Sequence, residues 1–228
     1  MTHIGPGRPR LEPRRRQGTT PRAEILDAAA ELFTTHGYGS TSTRSIADAV
    51  GIRQASLYHH FAAKDDILDA LLAETITAAL ELAERLAGLP EPAAVRLYAL
   101  ARFDVRQLCA ARWNLGALYL LPELRSPRFA VFRERRDELR RHYETLAAAV
   151  VAETGGVAAG SELLPFRLVE SVINMRSDEN ATPGYAERLI PDAVLQLLGW
   201  QGDMDAVRAE AARLVERVDQ PDHDNDRG

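Results

Sequence analysis

Apolar residues recur at intervals of three and four along most of the chain, the spacing of helices that bury one face. The first periodic stretch follows Thr20 and Pro21. This pair suits a helix start because the threonine side chain can cap N–H groups and proline there loses no hydrogen bond. No segment shows the sustained alternation of a strand or the Asn-Gly or Asp-Gly pair of a tight hairpin. The pattern therefore predicts an all-α protein.

Glycines and prolines divide the periodic stretches into separate helices. Pro191 interrupts one of them, so either that helix is kinked or its regular part begins at the proline. The predicted helices cover residues 21–36, 43–50, 53–61, 64–87, 93–111, 113–121, 127–154, 162–177, 185–199 and 203–218.

Segment 42–61 carries the most informative pattern. Two short helices joined by Val50-Gly51-Ile52 have the arrangement of a helix-turn-helix, in which Gly51 supplies a positive φ. Ala47 is small enough to let the two helices approach closely. Such corners also occur in proteins that never bind DNA, so the pattern alone leaves the function open.

The outward-facing residues of the third helix favour DNA. Arginine can pair with guanine, glutamine can read adenine, and hydroxyl groups suit phosphate oxygens. Lys64 opens the fourth helix, where a cation opposes the helix dipole. A bound phosphate would explain this lysine, and local relief by Asp65 and Asp66 would explain it equally well. The outward-facing residues are Arg53, Gln54, Ser56, Tyr58 and His59.

The charge is unevenly distributed. The net charge of −5, taken alone, argues against a nucleic-acid partner. Residues 1–64 nevertheless carry a net charge of +4, and residues 65–228 carry −9. A basic N-terminal part keeps DNA binding open.

Both ends of the chain lack apolar residues that could form a core, so we expect them to be disordered. Within the N-terminal arm, Gly7-Arg8-Pro9-Arg10 resembles the core of an AT-hook. Arginine favours narrow A·T minor grooves because their potential is most negative. Contact with DNA and a solubilising tail remain equally open for this arm.

Several other classes find no support. The single cysteine, Cys109, excludes an intrachain disulfide, and the adjacent His59 and His60 point apart and cannot chelate one metal ion. No catalytic, nucleotide-binding or metal-binding motif occurs, so we expect no enzyme, no metal and no cofactor. No secretory signal or membrane-spanning stretch is present, which predicts a cytoplasmic protein with no membrane partner.

Residues 22–68 resemble the N-terminal domain of the tetracycline-repressor (TetR) family of bacterial transcriptional regulators. The match covers about a fifth of the chain, with many positions in register. Two departures are Ala55, where the family often has glycine, and Ala62-Ala63, which replace a polar cap. The matching residues are Arg22, Ile25, Leu26, Ala29, Leu32, Phe33, Gly37, Tyr38, Thr41, Ser42, Ile46, Ala47, Ala49, Val50, Gly51, Ile52, Leu57, Tyr58, His60, Phe61, Lys64 and Leu68.

The resemblance implies a homodimer that binds double-stranded operator DNA through the third helix of each subunit. By position, Thr43, Tyr58 and Lys64 would contact phosphates. Further DNA-binding residues would be Arg44 and, facing the major groove, Arg53, Gln54, Ser56 and His59.

The resemblance also implies a C-terminal part that dimerises and binds a small-molecule inducer. Dimerisation is expected through 162–177 and 185–199, where apolar residues occupy more than one face. Segments 103–121 and 166–175 mix apolar and polar residues as ligand pockets do, although ordinary core packing accounts for each residue singly. The candidate ligand-binding residues are Phe103, Gln107, Trp113, Asn114, Leu118, Tyr119, Phe166, Glu170, Ile173 and Asn174.

The predicted domains are a basic arm (1–19), a helix-turn-helix DNA-binding domain (20–66), a helical ligand-binding and dimerisation domain (67–218) and a tail (219–228). The predicted function is that of a dimeric repressor released from its operator by a small ligand. The alternatives are a ligand-independent DNA-binding module, acting architecturally or through a protein partner, and a helical enzyme.

Overall fold

A computed structural model describes residues 20–155, 157–179 and 184–219. Within these residues every regular element is a helix, which confirms the all-α fold. The predicted arm and all but the first residue of the predicted tail lie outside the described ranges.

The described part contains α1 (Pro21–Thr35), α2 (Thr43–Val50), α3 (Gln54–Tyr58), α4 (Lys64–Ala87), α5 (Ala93–Ala110), α6 (Ala130–Thr154), α7 (Pro165–Glu179), α8 (Ala186–Leu197) and α9 (Met204–Asp219). Short 3₁₀ helices cover Leu115–Leu120, Pro122–Arg125, Pro127–Phe129 and Ser161–Leu163.

The chain divides into two compact units, Met1–Leu68 and Asp69–Gly228. In the first unit α2 packs against both α1 and α3. Ile25, Ile46 and Leu57, one from each of these helices, are fully buried in the core. The apolar positions predicted from spacing therefore meet as the helix-turn-helix requires.

Helix α5 is the centre of the second unit, and it packs against α6, α7, α8 and α9. Buried side chains occupy more than one face of α5, as expected for a helix surrounded by others. Two buried members, Tyr98 and Asp104, carry polar groups that need hydrogen-bond partners.

The prediction of an α-helix at 113–121 is wrong. This stretch and the residues after it form three consecutive 3₁₀ helices, and α6 begins only at Ala130. Pro122 and Pro127 separate these short helices from one another, because a proline excludes its predecessor from the helical region. Leu121 and Ser126 accordingly have extended backbones, with ψ of 130° and 154°.

The third helix is also shorter than predicted. The α-helix ends at Tyr58, and a turn follows in which the N–H groups of His60 and Phe61 donate to the carbonyl oxygen of Leu57. The turn brings the Phe61 ring into the core, where it is 4% exposed.

Pro191 lies inside α8, which begins five residues before it at Ala186. The regular helix therefore does not start at the proline. Because proline carries no N–H, its place inside the helix costs α8 one backbone hydrogen bond.

Candidate nucleic-acid interface and cavities

Both ends of α2 are held by local hydrogen bonds. Ser42 and Ser45 form a reciprocal capping box at its start, with both N–H to Oγ distances at 3.0 Å. At its end, Gly51 has φ of 75°, a left-handed conformation that favours glycine. The Ile52 N–H then donates to the Ala47 carbonyl oxygen at 3.0 Å, which closes the turn that leads to α3.

Three of the predicted DNA-binding residues meet on the exposed side of the helix-turn-helix. Gln54 Nε2 donates to Thr43 Oγ1 at 2.9 Å and lies 3.5 Å from the Tyr58 hydroxyl. The hydroxyl groups of Thr43 and Tyr58 are 3.1 Å apart. We refer to these residues as the Thr43–Gln54–Tyr58 cluster. It presents two hydroxyl groups and one amide on a surface where Tyr58 is 47% exposed.

Four further predicted DNA-binding residues lie next to members of this cluster along the chain or within two residues of them, and all four are exposed. Arg53 precedes α3 as its N-cap residue, with an extended backbone and no side-chain cap hydrogen bond. The helix predicted over 53–61 includes Arg53, whereas the observed helix begins at Gln54. The exposed residues are Arg44, Arg53, Ser56 and His59.

Lys64 stands apart from the cluster. Its ammonium group donates to the carbonyl oxygens of Tyr38 and Thr41 at 2.8 and 2.9 Å and lies 4.0 Å from the centre of the Tyr38 ring. Because an ammonium group has three N–H donors, these bonds leave one for a phosphate. The contacts give Lys64 a structural role that the sequence did not indicate.

The two aspartates that follow Lys64 compensate for the missing polar cap of α4. Asp66 Oδ2 accepts a hydrogen bond from the Ala63 N–H at 2.9 Å, and Asp65 accepts one from the Tyr38 hydroxyl. Carboxylates in the first turn also favour the positive end of the helix dipole. The weakness expected from Ala62-Ala63 is therefore offset locally.

Four of the predicted ligand-binding residues line a cavity of about 230 Å³ in the second unit. Its polar wall is an ion-paired group in which Arg136 Nε donates to Glu170 Oε1 at 2.9 Å and Arg167 Nη1 donates to Oε2 at 3.2 Å. The Arg136 guanidinium lies 5.4 Å from the Tyr119 ring and 5.3 Å from the Phe166 ring. We refer to this space as the Arg136 cavity; the four predicted residues are Tyr119, Glu170, Ile173 and Asn174.

Gln107 lines a different cavity of about 280 Å³, which also lies in the second unit. Arg176 of α7 lines the same cavity, and we therefore call it the Arg176 cavity. Thr75 of α4 also lines it, and its hydroxyl accepts a hydrogen bond from the Tyr119 hydroxyl at 2.6 Å. Tyr119 thus links the walls of the two cavities.

The other predicted ligand-binding residues are placed elsewhere. Phe103 lines a smaller cavity of about 120 Å³ with residues of α9. Leu118 and Phe166 are buried, at 3% and 2% exposure, and line neither the Arg136 cavity nor the Arg176 cavity. Trp113 lines neither of them, and the Arg112 guanidinium lies over its ring.

Asn114 uses its amide to join two elements. Its Nδ2 donates to the Ile173 carbonyl oxygen at 2.8 Å and to Ser177 Oγ at 2.9 Å. The partner that a half-buried amide needs is therefore supplied by α7, and the residue positions the wall of the Arg136 cavity.

Sequence reasoning missed Arg136 and Arg176. Both are arginines in helices rich in charged residues, which normally face solvent. The signal for Arg176 was nevertheless present, because it continues the apolar positions 169, 172 and 173 at helical spacing. Nothing comparable marks Arg136.

Burial raises the pKa of two groups in the second unit, Asp104 and Tyr119. The pKa of the Asp104 carboxyl is raised to about 7 by burial, against the effect of the Tyr143 hydroxyl that donates to it at 3.1 Å, and the charge of Glu170 adds to the rise. Burial also raises the pKa of the Tyr119 hydroxyl. Burial thus favours the neutral form of both groups.

The described part of the chain contains neither a candidate metal site nor a candidate membrane span. It contains no group of three histidine, cysteine, aspartate or glutamate side chains placed to hold a metal ion. None of its helices is long and apolar enough to cross a membrane.

Comparison with known proteins identifies the first unit. Residues 25–71 match the family described as bacterial regulatory proteins, tetR family. The chain is 46% identical over 56 residues to the HTH-type transcriptional repressor KstR2 of Mycobacterium tuberculosis, a match that covers 25% of this chain and 28% of KstR2. The similarity to such curated relatives spans only about a quarter of their length.

Solved structures extend the similarity to both units. The crystal structure of Mycobacterium smegmatis AmtR is 62% identical, with a TM-score of 0.86 over 90% of this chain and 98% of that chain. AibR, solved in complex with isovaleryl coenzyme A and operator DNA, is 19% identical and shares the fold, with a TM-score of 0.61 over 78% of this chain and 97% of that chain. The chain belongs to the tetR family of bacterial regulatory proteins.

Proposed function

We propose that this protein is a dimeric, sequence-specific transcriptional repressor that a small molecule releases from its operator. DNA binding is assigned to residues 20–66, and ligand binding and dimerisation to 67–218. The observation that carries the proposal is the Thr43–Gln54–Tyr58 cluster, which places hydroxyl and amide groups side by side on the exposed face of a helix-turn-helix. We propose that it acts in the cytoplasm and without catalytic activity.

In this proposal each member of the cluster has a separate role. The hydroxyl groups of Thr43 and Tyr58 exchange their mutual hydrogen bond for phosphate oxygens as acceptors, and Lys64 offers its remaining N–H to the same backbone. Gln54 reads a base edge, with an orientation fixed by its hydrogen bond to Thr43. Arg44, Arg53, Ser56 and His59 extend the contact surface around the cluster.

Dimerisation is assigned to α7 and α8. Tyr185 and Leu189 are 48% and 53% exposed and lie four residues apart at the start of α8, so both project from one face of the helix. Large apolar side chains exposed together on one face are typical of a surface that another subunit covers. The proposal pairs this face with its copy in a second subunit.

Release requires a ligand that binds the DNA-free arrangement more tightly than the DNA-bound one. Consecutive major grooves on one face of DNA are about 34–36 Å apart, so a small change in the separation of two recognition helices prevents both from docking. The polar-lined cavities of the second unit support this mechanism, as does the binding of both a ligand and operator DNA by AibR. The ligand-independent module is therefore not favoured.

The proposal is tested by fluorescence anisotropy with labelled DNA from upstream of the protein's own gene. We expect Tyr58→Phe to weaken binding by about tenfold, because one hydrogen bond to a charged phosphate is lost. Arg44→Ala should reduce the slope of log K against log salt by about one.

Arg213→Ala provides the matched control, because it removes the same charge from an exposed position on α9. Equal losses for Arg44→Ala and Arg213→Ala would contradict the assignment of DNA binding to the helix-turn-helix.

A further inference from the structure

Arg176 is a buried cation in the second unit. It is 9% exposed, and no carboxylate among the described residues pairs with it. Burial lowers the pKa of its guanidinium, which shows that the surroundings disfavour the charge. Buried charges in proteins are normally paired or hydrogen-bonded on all sides, so an unpaired one needs an explanation.

Part of the explanation is structural. The guanidinium donates to the carbonyl oxygen of Leu108 and, at 2.6 Å, to that of Ala111, at the C-terminal end of α5. The end of a helix carries the equivalent of about half a negative charge, so it offsets only part of a full positive charge. The two bonds also use only two of the five N–H groups of a guanidinium.

Arg176 lines the Arg176 cavity beside Leu108 and Ala111, whose carbonyl oxygens its guanidinium binds. This cavity is bounded by α4, α5, α7 and the first 3₁₀ helix, Leu115–Leu120. Much of its wall is apolar, including Leu108, Ala111 and Leu115, and Thr75 and Gln107 add polar groups. Its volume of about 280 Å³ is near the lower limit of the range typical of drug-sized ligands, which favours a small molecule.

The Arg136 cavity differs in this respect. Arg136 and Arg167 both bind Glu170, so the positive charge at that wall has a carboxylate partner within the protein. Arg176 has none among the described residues. A negatively charged ligand would therefore gain a new ion pair in the Arg176 cavity, whereas in the Arg136 cavity it would compete with Glu170.

We propose that the Arg176 cavity binds a small organic acid whose carboxylate pairs with the Arg176 guanidinium and whose apolar part packs against Leu108 and Leu115. The Gln107 amide donates a hydrogen bond to the carboxylate. The Thr75 hydroxyl, which donates to the Leu72 carbonyl oxygen at 2.6 Å and accepts from Tyr119, forms part of the wall without donating to the ligand. Glu74 also lines the cavity and is exposed, so its charge disfavours ligands with a second carboxylate.

That the acid releases the protein from its operator rests on the proposed function, whereas the acid-binding site itself does not. Thr75 belongs to α4, the helix that begins at Lys64 directly after the recognition segment. An acid that contacts Thr75 therefore touches the helix that leads from the helix-turn-helix into the second unit. Binding and release remain separate measurements.

Isothermal titration calorimetry on the full chain tests the site directly. The probes are benzoate and hexanoate, with benzamide and hexanamide as uncharged controls of similar shape and inorganic phosphate as an anion without an apolar part. We expect the acids to bind at least tenfold more tightly than the amides and than phosphate. Equal binding of acids and amides, or of acids and phosphate, would overturn the proposal.

Two variants locate the binding. Arg176→Met removes the charge, and Ala111→Leu enlarges a side chain that lines the cavity, leaving Arg176 in place. Both should weaken binding of benzoate at least tenfold, whereas Arg213→Met on α9 should leave it unchanged. If Arg176→Met does not fold, Ala111→Leu decides, and unchanged benzoate binding by a folded Ala111→Leu protein would place the acid elsewhere.

Operator release is then measured by anisotropy with the same probes. Acid binding in the cavity without any effect on the operator would contradict release by this ligand and leave the site intact. Operator release by an uncharged compound, together with no binding of acids, would contradict the acid site and leave the proposed regulation intact.

Discussion

At the scale of single residues, Lys64 combines contacts within the first unit with a proposed hydrogen bond to a phosphate. Its ammonium group holds the carbonyl oxygens of Tyr38 and Thr41, which lie 26 and 23 residues earlier in the chain. Tyr58, in contrast, contributes an exposed side chain to the Thr43–Gln54–Tyr58 cluster, the proposed DNA contact. Substitutions at these two positions should therefore have different consequences.

We expect Lys64→Met to lower the free energy of unfolding by about 1–3 kcal/mol, because two charge-assisted hydrogen bonds in a half-buried site are lost. Tyr58→Phe should leave stability within about 0.5 kcal/mol of the wild type, as is usual for surface substitutions. Urea denaturation followed by circular dichroism measures both. A Lys64→Met protein as stable as the wild type would show that these contacts contribute nothing.

Asp104 gives the stability a pH dependence. Burial raises the pKa of its carboxyl to about 7, so the folded protein holds a proton there that the unfolded chain releases near its ordinary value. The stability contributed by the protonated form is complete below the unfolded pKa and is lost as pH rises through the folded pKa. The groups that face Asp104 are the Tyr143 hydroxyl and the Glu170 carboxylate.

We therefore expect Asp104→Asn to flatten the fall in melting temperature between pH 5 and pH 8. The amide oxygen can still accept the hydrogen bond from the Tyr143 hydroxyl but cannot ionise. Thermal denaturation of both proteins at the two pH values checks this. Parallel curves for the variant and the wild type would mean that Asp104 does not titrate in this range.

At the scale of elements, the first 3₁₀ helix, Leu115–Leu120, is pressed against α7. A Cβ atom on Gly116 would lie 2.5 Å from Ile173 Cγ1, closer than real contacts allow. Asn114 binds the Ile173 carbonyl oxygen just before this point. Gly116 lines both the Arg136 cavity and the Arg176 cavity, so this close approach shapes the wall between them.

Gly116→Ala should destabilise the protein by about 1–3 kcal/mol, because the added methyl group overfills this contact. Ile173→Ala removes the atoms in the way, so the double variant should lose less than the two single variants combined. Thermal or urea denaturation of all four proteins gives the coupling. Strict additivity would show that the two residues do not meet as described.

At the scale of the whole molecule, charge and apolar surface separate the proposed roles. The net charge of +4 on residues 1–64 favours phosphate, and the −9 on the remainder disfavours it. The net charge of −5 therefore conceals a division that suits a DNA-binding part joined to a part kept away from DNA. The exposed apolar residues of α8 belong to the negatively charged part.

Leu189→Glu should convert the proposed dimer into a monomer, because each interface would then bury two unpaired carboxylates. Sedimentation velocity should show the change in mass, and operator affinity should fall more than tenfold because only one recognition helix remains in each particle. Arg213→Glu on α9 is the control. A wild-type protein that sediments as a monomer would contradict the proposed use of α8.

Features that depend on residues close together in the sequence could be predicted from it, whereas features that depend on residues far apart could not. Helical periodicity is a local pattern, and so are the cap at Thr20, the turn at Gly51 and the resemblance over residues 22–68. The structure has the Thr20 cap and the Gly51 turn at the predicted positions. At 113–121 the structure has 3₁₀ helices, with extended residues before Pro122 and Pro127, in place of the predicted α-helix. At the end of α3 a turn that buries Phe61 replaces the last predicted turn of helix.

The sequence by itself determined an all-α chain with a helix-turn-helix and exposed residues suited to DNA, because periodicity and turn chemistry act over a few residues. Only the tertiary structure decided which of the polar side chains meet. Lys64 finds its carbonyl partners more than 20 residues away, and Arg176 finds those of Leu108 and Ala111 more than 60 residues away. Such pairings depend on how whole helices pack, and a linear pattern of residue types does not encode them.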